Sequence, residues 1–242
     1  MRQGLFTMVG LLFMVLLGLA GDTDGFKNTF TAGLALTDGN SETMQINSAL
    51  ITEGEKERLG SLRAGLEGNY GESKVDGVKE TTVENARLFA NVKKTITRRT
   101  FAFLDGSLLY DDIAQIDYRG VIAPGVGVYL IKNAQTALFV EAAPAYVWEK
   151  VVDETDDYPA FRFAERIEHE FSPVTRVWQS MEYLPKADDF KDYLLNSELG
   201  AEAALNSRMK LRIVLQNKYD STPGDDLKKN DLALIAGISL AL

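Results

Sequence analysis

The chain has 242 residues, with 26 Lys and Arg against 35 Asp and Glu, a net charge of −9. This acidic balance lacks the basic face of a nucleic-acid binder. The absence of cysteine excludes disulfides and thiolate metal sites, and a single histidine argues against a multi-histidine metal centre.

Residues 1–20 combine Arg2, an apolar run over 5–17, and small residues Gly18 and Ala20 ahead of Gly21. This pattern predicts a secretory signal peptide, with the mature domain at 21–242. The apolar run is short for a membrane-spanning helix, and no cysteine follows it to carry a lipid anchor. No second long apolar run exists, so the mature chain is either soluble or a barrel, because only helices and closed barrels span lipid.

Period-two alternation begins at 26–36, where Phe26, Phe30, Ala32, Leu34 and Leu36 oppose Lys27, Thr29, Thr31 and Gly33. Asp38-Gly39-Asn40 reads as a hairpin turn. Met44, Ile46 and Leu50 then oppose Gln45, Asn47 and Glu53, with a turn at 54–56. Leu62, Ala64, Leu66 and Tyr70 oppose Arg63, Glu67 and Asn69, before a polar loop predicted over 72–80. Residues 83–92 set Ala86, Leu88, Ala90 and Val92 against Asn85, Arg87 and Asn91. After a link at 95–98, Ala102, Leu104, Leu108 and Tyr110 oppose Asp105 and Ser107.

Tyr118, Ile122, Val126, Val128 and Leu130 oppose Arg119 and the small residues Ala123, Gly125 and Gly127. Leu138, Val140, Ala142, Tyr146 and Trp148 oppose Glu141 and Glu149, and an acidic loop is predicted over 152–159. In 161–171 the pattern is irregular: Phe161, Phe163, Ile167 and Phe171 share a face with Glu165 and His169. Either a bulge shifts the register there or the strands project beyond the apolar zone. Alternation recovers in Leu195, Leu199, Ala201, Ala203 and Leu205 against Asn196, Glu198 and Glu202. Leu211, Ile213 and Leu215 then oppose Lys210, Arg212, Gln216 and Lys218. The last segment sets Leu232, Leu234, Ala236, Ile238, Leu240 and Leu242 against Asp231, Ala233, Ile235, Gly237 and Ser239.

About twelve such segments predict an all-β, antiparallel, up-and-down transmembrane β-barrel. Short and long connections alternate, the expected asymmetry of outer-membrane barrels, and aromatic residues gather near strand ends as interface girdles require. An even strand count puts both termini on the periplasmic side.

Three stretches then line up with a known family. They are Gly33-Leu34-Ala35-Leu36-Thr37-Asp38-Gly39-Asn40-Ser41, then Asp117-Tyr118-Arg119 followed by Gly125-Val126-Gly127-Val128-Tyr129, and Tyr219-Asp220-Ser221-Thr222-Pro223 with Asp231. In order and spacing the chain resembles the salt-induced outer-membrane proteins, a bacterial domain-of-unknown-function family. The resemblance implies an outer-membrane barrel without an established biochemical activity. Such barrels usually end in an aromatic residue, and this chain ends in Leu242.

Candidate chemistry is sparse. His169 has no accompanying serine motif, so it reads as a polar or interface residue rather than a general base. Gly125-Val126-Gly127 lies within a strand with no helix behind it, which favours close packing over phosphate binding. Paired acids in the predicted loops, such as Asp153-Glu154, Asp156-Asp157, Asp188-Asp189 and Asp225-Asp226, read as solvated tips. A sharper reading has them hold divalent cations against lipopolysaccharide phosphates.

The polar faces supply the candidate lumen-lining residues Arg63, Glu67, Arg87, Asp105, Arg119, Glu141, Glu198, Glu202, Lys210, Arg212, Lys218 and Asp231. Their balanced signs predict pairing across a filled or narrow interior. No catalytic, cofactor or metal site is expected. The expected partners are outer-membrane lipid, lipopolysaccharide and the barrel-assembly machinery, with the chain a monomer in the cell outer membrane. The favoured role is structural or permeability-related. A narrow diffusion channel and a soluble periplasmic ligand-binding barrel are the alternatives. Alternation alone does not say which face points inward.

Overall fold

The computed structural model describes residues 25–37, 41–56, 60–75, 78–224 and 227–242. The predicted leader at 1–20, the Asp38-Gly39-Asn40 turn and the Asp225-Asp226 pair lie outside the described residues.

Twelve strands follow in order: β1 (Phe26–Thr37), β2 (Ser41–Lys56), β3 (Gly60–Val75), β4 (Val78–Thr95), β5 (Thr100–Asp111), β6 (Ile116–Lys132), β7 (Thr136–Val151), β8 (Glu154–Ser172), β9 (Thr175–Pro185), β10 (Tyr193–Ala204), β11 (Met209–Asp220) and β12 (Asn230–Ala241). Each pairs antiparallel with its neighbours in sequence, and β1 pairs with β12 to close the barrel. Closure satisfies the backbone groups that an open sheet would leave at its edges. The closing ladder runs only from Thr29↔Ala241 to Ala32↔Ile238. A buried hydroxyl pair at its centre, Thr31 Oγ1 to Ser239 Oγ at 2.8 Å, reinforces it.

The strands are steeply tilted. Paired residues traced from Thr31 run through Ala49, Glu67, Arg87, Leu109, Arg119 and Glu149 to Asp156, near the start of β8. Traced the other way from Ala32, they run through Ile238, Leu211, Ala203 and Thr175 to Ser172, at its end. This stagger is the shear that a closed barrel requires.

The structure also fixes which face is which. Lys93 on β4 meets Glu141 on β7, Arg119 on β6 meets Asp220 on β11, and Lys218 on β11 meets Asp111 on β5. None of these strand pairs are neighbours in the sheet, so the side chains meet across the inside. The opposite face is apolar and open. Leu232 and Leu234 are 66% and 68% exposed, with Val126, Leu130, Leu199 and Ile213 likewise on the outer wall. An apolar belt this extensive is foreign to a soluble protein surface. It removes the soluble ligand-binding arrangement, in which the apolar face would point inward.

At the rim of the longer connections, the outer wall carries a run of aromatic contacts. Phe190 stacks on Phe161, followed by Phe163, Tyr183, Tyr193 and Tyr219, with neighbouring centroids 5.1 to 6.5 Å apart. Aromatic rings gathered on this part of the wall match the interface girdle of membrane barrels.

Four local expectations are corrected. Residues 54–56 continue β2. Most of the loop predicted over 72–80 is strand, because β3 continues to Val75 and β4 begins at Val78. The acidic stretch at 154–159 is the start of β8, paired residue by residue with the end of β7 from Val151↔Glu154 to Tyr146↔Pro159. These hairpins continue above the apolar belt, where both faces meet water and alternation no longer marks the strand. In β8, no register shift occurs between Phe161 and His169 against β7, and the irregularity against β9 falls later, between Glu170 and Ser172. Glu165 therefore stays on the outer face, where it accepts a hydrogen bond from Gln179 Nε2 at 2.7 Å. His169 bonds the Thr136 hydroxyl through Nδ1 at 2.8 Å and packs edge-on to Phe171.

Candidate functional site: the barrel interior

The interior is divided between an apolar wedge and three ionic clusters. The wedge comes from β5 to β8, where Phe101, Phe103, Ala143, Val147 and Ala160 pack with Tyr129 and Phe139. Phe101 and Phe103 share the inward parity of Asp105. Room for their rings is made on β6, where Phe101 pairs with Gly127 and Phe103 with Gly125. A Cβ on Gly127 would lie 2.2 Å from the Phe101 ring, and one on Gly125 2.6 Å from the Phe103 ring. Close packing is thus the reason for glycine at both positions.

The first ionic cluster sits against this wedge. The Lys93 ammonium lies 2.6 Å from Glu141 and 3.8 Å from the Phe139 ring centroid. Arg162 bridges Glu141 at 2.9 Å and Glu182 at 2.6 Å. Asp105 accepts a hydrogen bond from Asn91 at 2.9 Å. The two cations, Lys93 and Arg162, and the three carboxylates, Glu141, Glu182 and Asp105, offset one another's charge inside the barrel.

The second cluster lies toward the aromatic rim. Arg119 bonds Glu149, its register partner, and reaches Asp220 at 3.4 Å. Lys218 turns to Asp111 at 3.6 Å, although Asp231 is its register partner on β12. The structure therefore joins Lys218 to a residue that local spacing did not indicate.

The third cluster is built on β8 to β11. Arg166 bonds Glu168 at 2.5 Å, and Arg176 reaches Glu168 at 3.7 Å and Glu202 at 3.2 Å. Lys210 completes Glu202 at 2.7 Å. Glu198 accepts the Trp178 indole N–H at 2.5 Å and the Gln216 amide at 3.0 Å.

The facing wall, β1 to β4, is looser. Arg63 stands 3.9 Å from Glu53, and Arg87 stands 3.8 Å from Glu67, with both guanidiniums over the Phe89 ring. An amide ladder crosses three strands, Asn47 to Asn69 to Asn85, at 2.7 Å each step. Between this wall and β11–β12 lies a cavity of about 50 Å³, lined by Thr31, Asn47, Glu67, Asn69, Arg212 and Gln216 among others.

Sequence reasoning missed Lys93 and the inward aromatics. Lys93 continues the parity of Arg87 and Asn91, and Phe101 and Phe103 continue that of Asp105, so strand parity was the available signal.

At the rim of the longer connections, Lys150 pairs with Asp117 and Asp153, and Lys186 with Asp192 at 2.8 Å and Asp156 at 3.5 Å. Burial alone would lower the Lys186 pKa. The hydrogen bond and charge of Asp192, with Asp156, outweigh it and hold the ammonium above its ordinary value. Two of the loop acids proposed as cation ligands, Asp153 and Asp156, thus have lysine partners.

A family model described as a protein of unknown function, DUF481, matches residues 30–241. No curated protein sequence matches the chain. Among solved structures, a NanC porin is similar over 89% of this chain and 100% of that chain, at 7% identity and a TM-score of 0.54. A KdgM porin matches over 90% of this chain and 99% of its own, at 8% identity and 0.48. The translocator domain of the autotransporter NalP from Neisseria meningitidis matches over 98% and 95%, at 11% identity and 0.45.

Proposed function

The chain belongs to the DUF481 family of proteins of unknown function, and from that premise we propose that it is an outer-membrane barrel with a permeability role, a narrow passage for small solutes. The observation that carries this reading is the arrangement of the walls. An apolar, aromatic-rimmed exterior surrounds a charged interior whose cross-barrel pairs Lys93–Glu141, Arg119–Asp220 and Lys218–Asp111 leave a restricted space. Charged groups lining a constriction set what passes and how fast. The likeness of fold to a porin is consistent with this role.

On this reading Arg63, Glu67, Arg87, Asp105, Arg119, Glu141, Glu198, Glu202, Lys210, Arg212, Lys218 and Asp231 line or narrow the lumen. A leader at 1–20 delivers the chain across the inner membrane, the assembly machinery inserts it, and lipid and lipopolysaccharide surround it. A link to salt stress rests on the family resemblance and predicts higher abundance at high osmolarity.

The test is expression with the native leader in a Gram-negative host, envelope fractionation, and electrophoresis of the outer-membrane fraction with and without boiling. The reading predicts a membrane-embedded, heat-modifiable band. The purified protein then gives small, discrete conductance steps in planar bilayers, enlarged by Lys93→Ala. A folded barrel with no conductance in either form leaves a structural role as the remaining reading.

A further inference from the structure

Arg212 on β11 differs from the neighbouring cations of the third cluster, Arg176 and Lys210. Its register partner on β10 is Glu202, yet both Arg176 and Lys210 already occupy that carboxylate. The next acid, Glu198, is held by Trp178 and Gln216. Among the described residues no carboxylate lies within ion-pair distance of Arg212. Its guanidinium carbon lies over the Trp178 ring, 4.9 Å from the centroid and nearer than those of Arg176 at 5.7 Å and Arg166 at 6.0 Å. Trp178 is itself fixed, lying flat across Gly200, where a Cβ would sit 2.0 Å from the ring. A guanidinium held over an aromatic ring without a carboxylate partner keeps N–H donors for a ligand, and its planar fork receives a carboxylate through two parallel hydrogen bonds.

Arg212 lines the interior cavity, and the groups around it are complementary to a hydroxylated anion. Asn47 and Gln216 each donate an amide N–H, to Asn69 and to Glu198, and among the described residues no donor meets their carbonyl oxygens. Each is an acceptor for a ligand O–H. Glu67, on the same cavity, is 3.8 Å from Arg87 and disfavours a multiply charged ligand such as phosphate. We propose that Arg212, held over the Trp178 ring, is the carboxylate-binding residue of a lumen site for small monoanionic hydroxy acids. This deepens the permeability reading, resting on it for physiological meaning but not for the binding itself.

The test uses the full barrel with Trp148→Phe, so that Trp178 is the sole indole, refolded in vesicles and titrated with lactate, propionate and methylammonium. Lactate is expected to change Trp178 emission saturably, with propionate at least tenfold weaker for want of a hydroxyl and methylammonium inert. Arg212→Gln is expected to abolish the response. Arg212→Lys, which keeps the charge and stem, is expected to weaken it at least tenfold, because an ammonium cannot make the paired contact. No saturable response to lactate, or an undiminished one in both Arg212 variants, overturns the site. Conductance separates the two readings. A conducting barrel indifferent to lactate loses the site and keeps the channel. A lactate-binding barrel that never conducts keeps the site and loses the channel.

Discussion

The Lys93 ammonium on β4 reaches across the barrel to within 2.6 Å of Glu141 on β7, whose side chain is only 3% exposed. Glu141 holds two cations, since Arg162 also bonds it at 2.9 Å. Removing the shared carboxylate leaves Lys93 uncompensated and Arg162 with Glu182 alone, so Glu141→Gln is expected to destabilise the barrel by about 3–5 kcal/mol. Lys93→Met leaves Arg162 in place and is expected to cost less. Urea unfolding of the refolded barrel in vesicles reads both, and equal losses would place the energy elsewhere.

A second prediction concerns the wedge. Gly127→Ala places a methyl against the Phe101 ring, which is 1% exposed and has nowhere to move, and overpacking of this kind costs about 1–3 kcal/mol. Phe101→Leu frees space at a cost of its own. The double variant is expected to be more stable than the sum of the two changes predicts, a coupling that a double-mutant cycle reads directly.

The outer wall supplies a third. Glu165 and Gln179 interrupt the apolar belt among Val140, Ile167, Met181 and Leu199. Gln179→Leu strips Glu165 of its donor and is expected to lower stability by about 1–3 kcal/mol, the cost of an unpaired polar group. Replacing both with valine removes the pair from apolar surroundings and is expected to raise stability by about 1–3 kcal/mol over wild type. If the double variant is the less stable in vesicles, this patch does not face lipid.

Much of this was legible in the sequence because a barrel wall separates two solvents at every second residue. Leu232, Leu234 and Ile238 against Asp231, Gly237 and Ser239 is the whole fold in miniature. The reading fell short where that contrast fades. Residues 154–159 run above the apolar belt, so their strand carries no alternation. Glu165 breaks the pattern without breaking the strand, because one neighbouring amide satisfies it. Phe101 and Phe103 are large apolar residues on the polar face, admitted by glycines on the next strand. Lys218 choosing Asp111 over Asp231 depends on how the closed wall curves, which no local spacing encodes.

The two tryptophans report the direction of the two faces of the wall. Trp148 lies on the outer wall over Gly120, and Trp178 lies inside beneath Arg212. Single-tryptophan variants, Trp178→Phe and Trp148→Phe, would be refolded into vesicles with brominated acyl chains and their fluorescence compared. Strong quenching of Trp148 and little of Trp178 is expected. Quenching of Trp178 with Trp148 spared, or a protein that stays in solution with neither quenched, would contradict it.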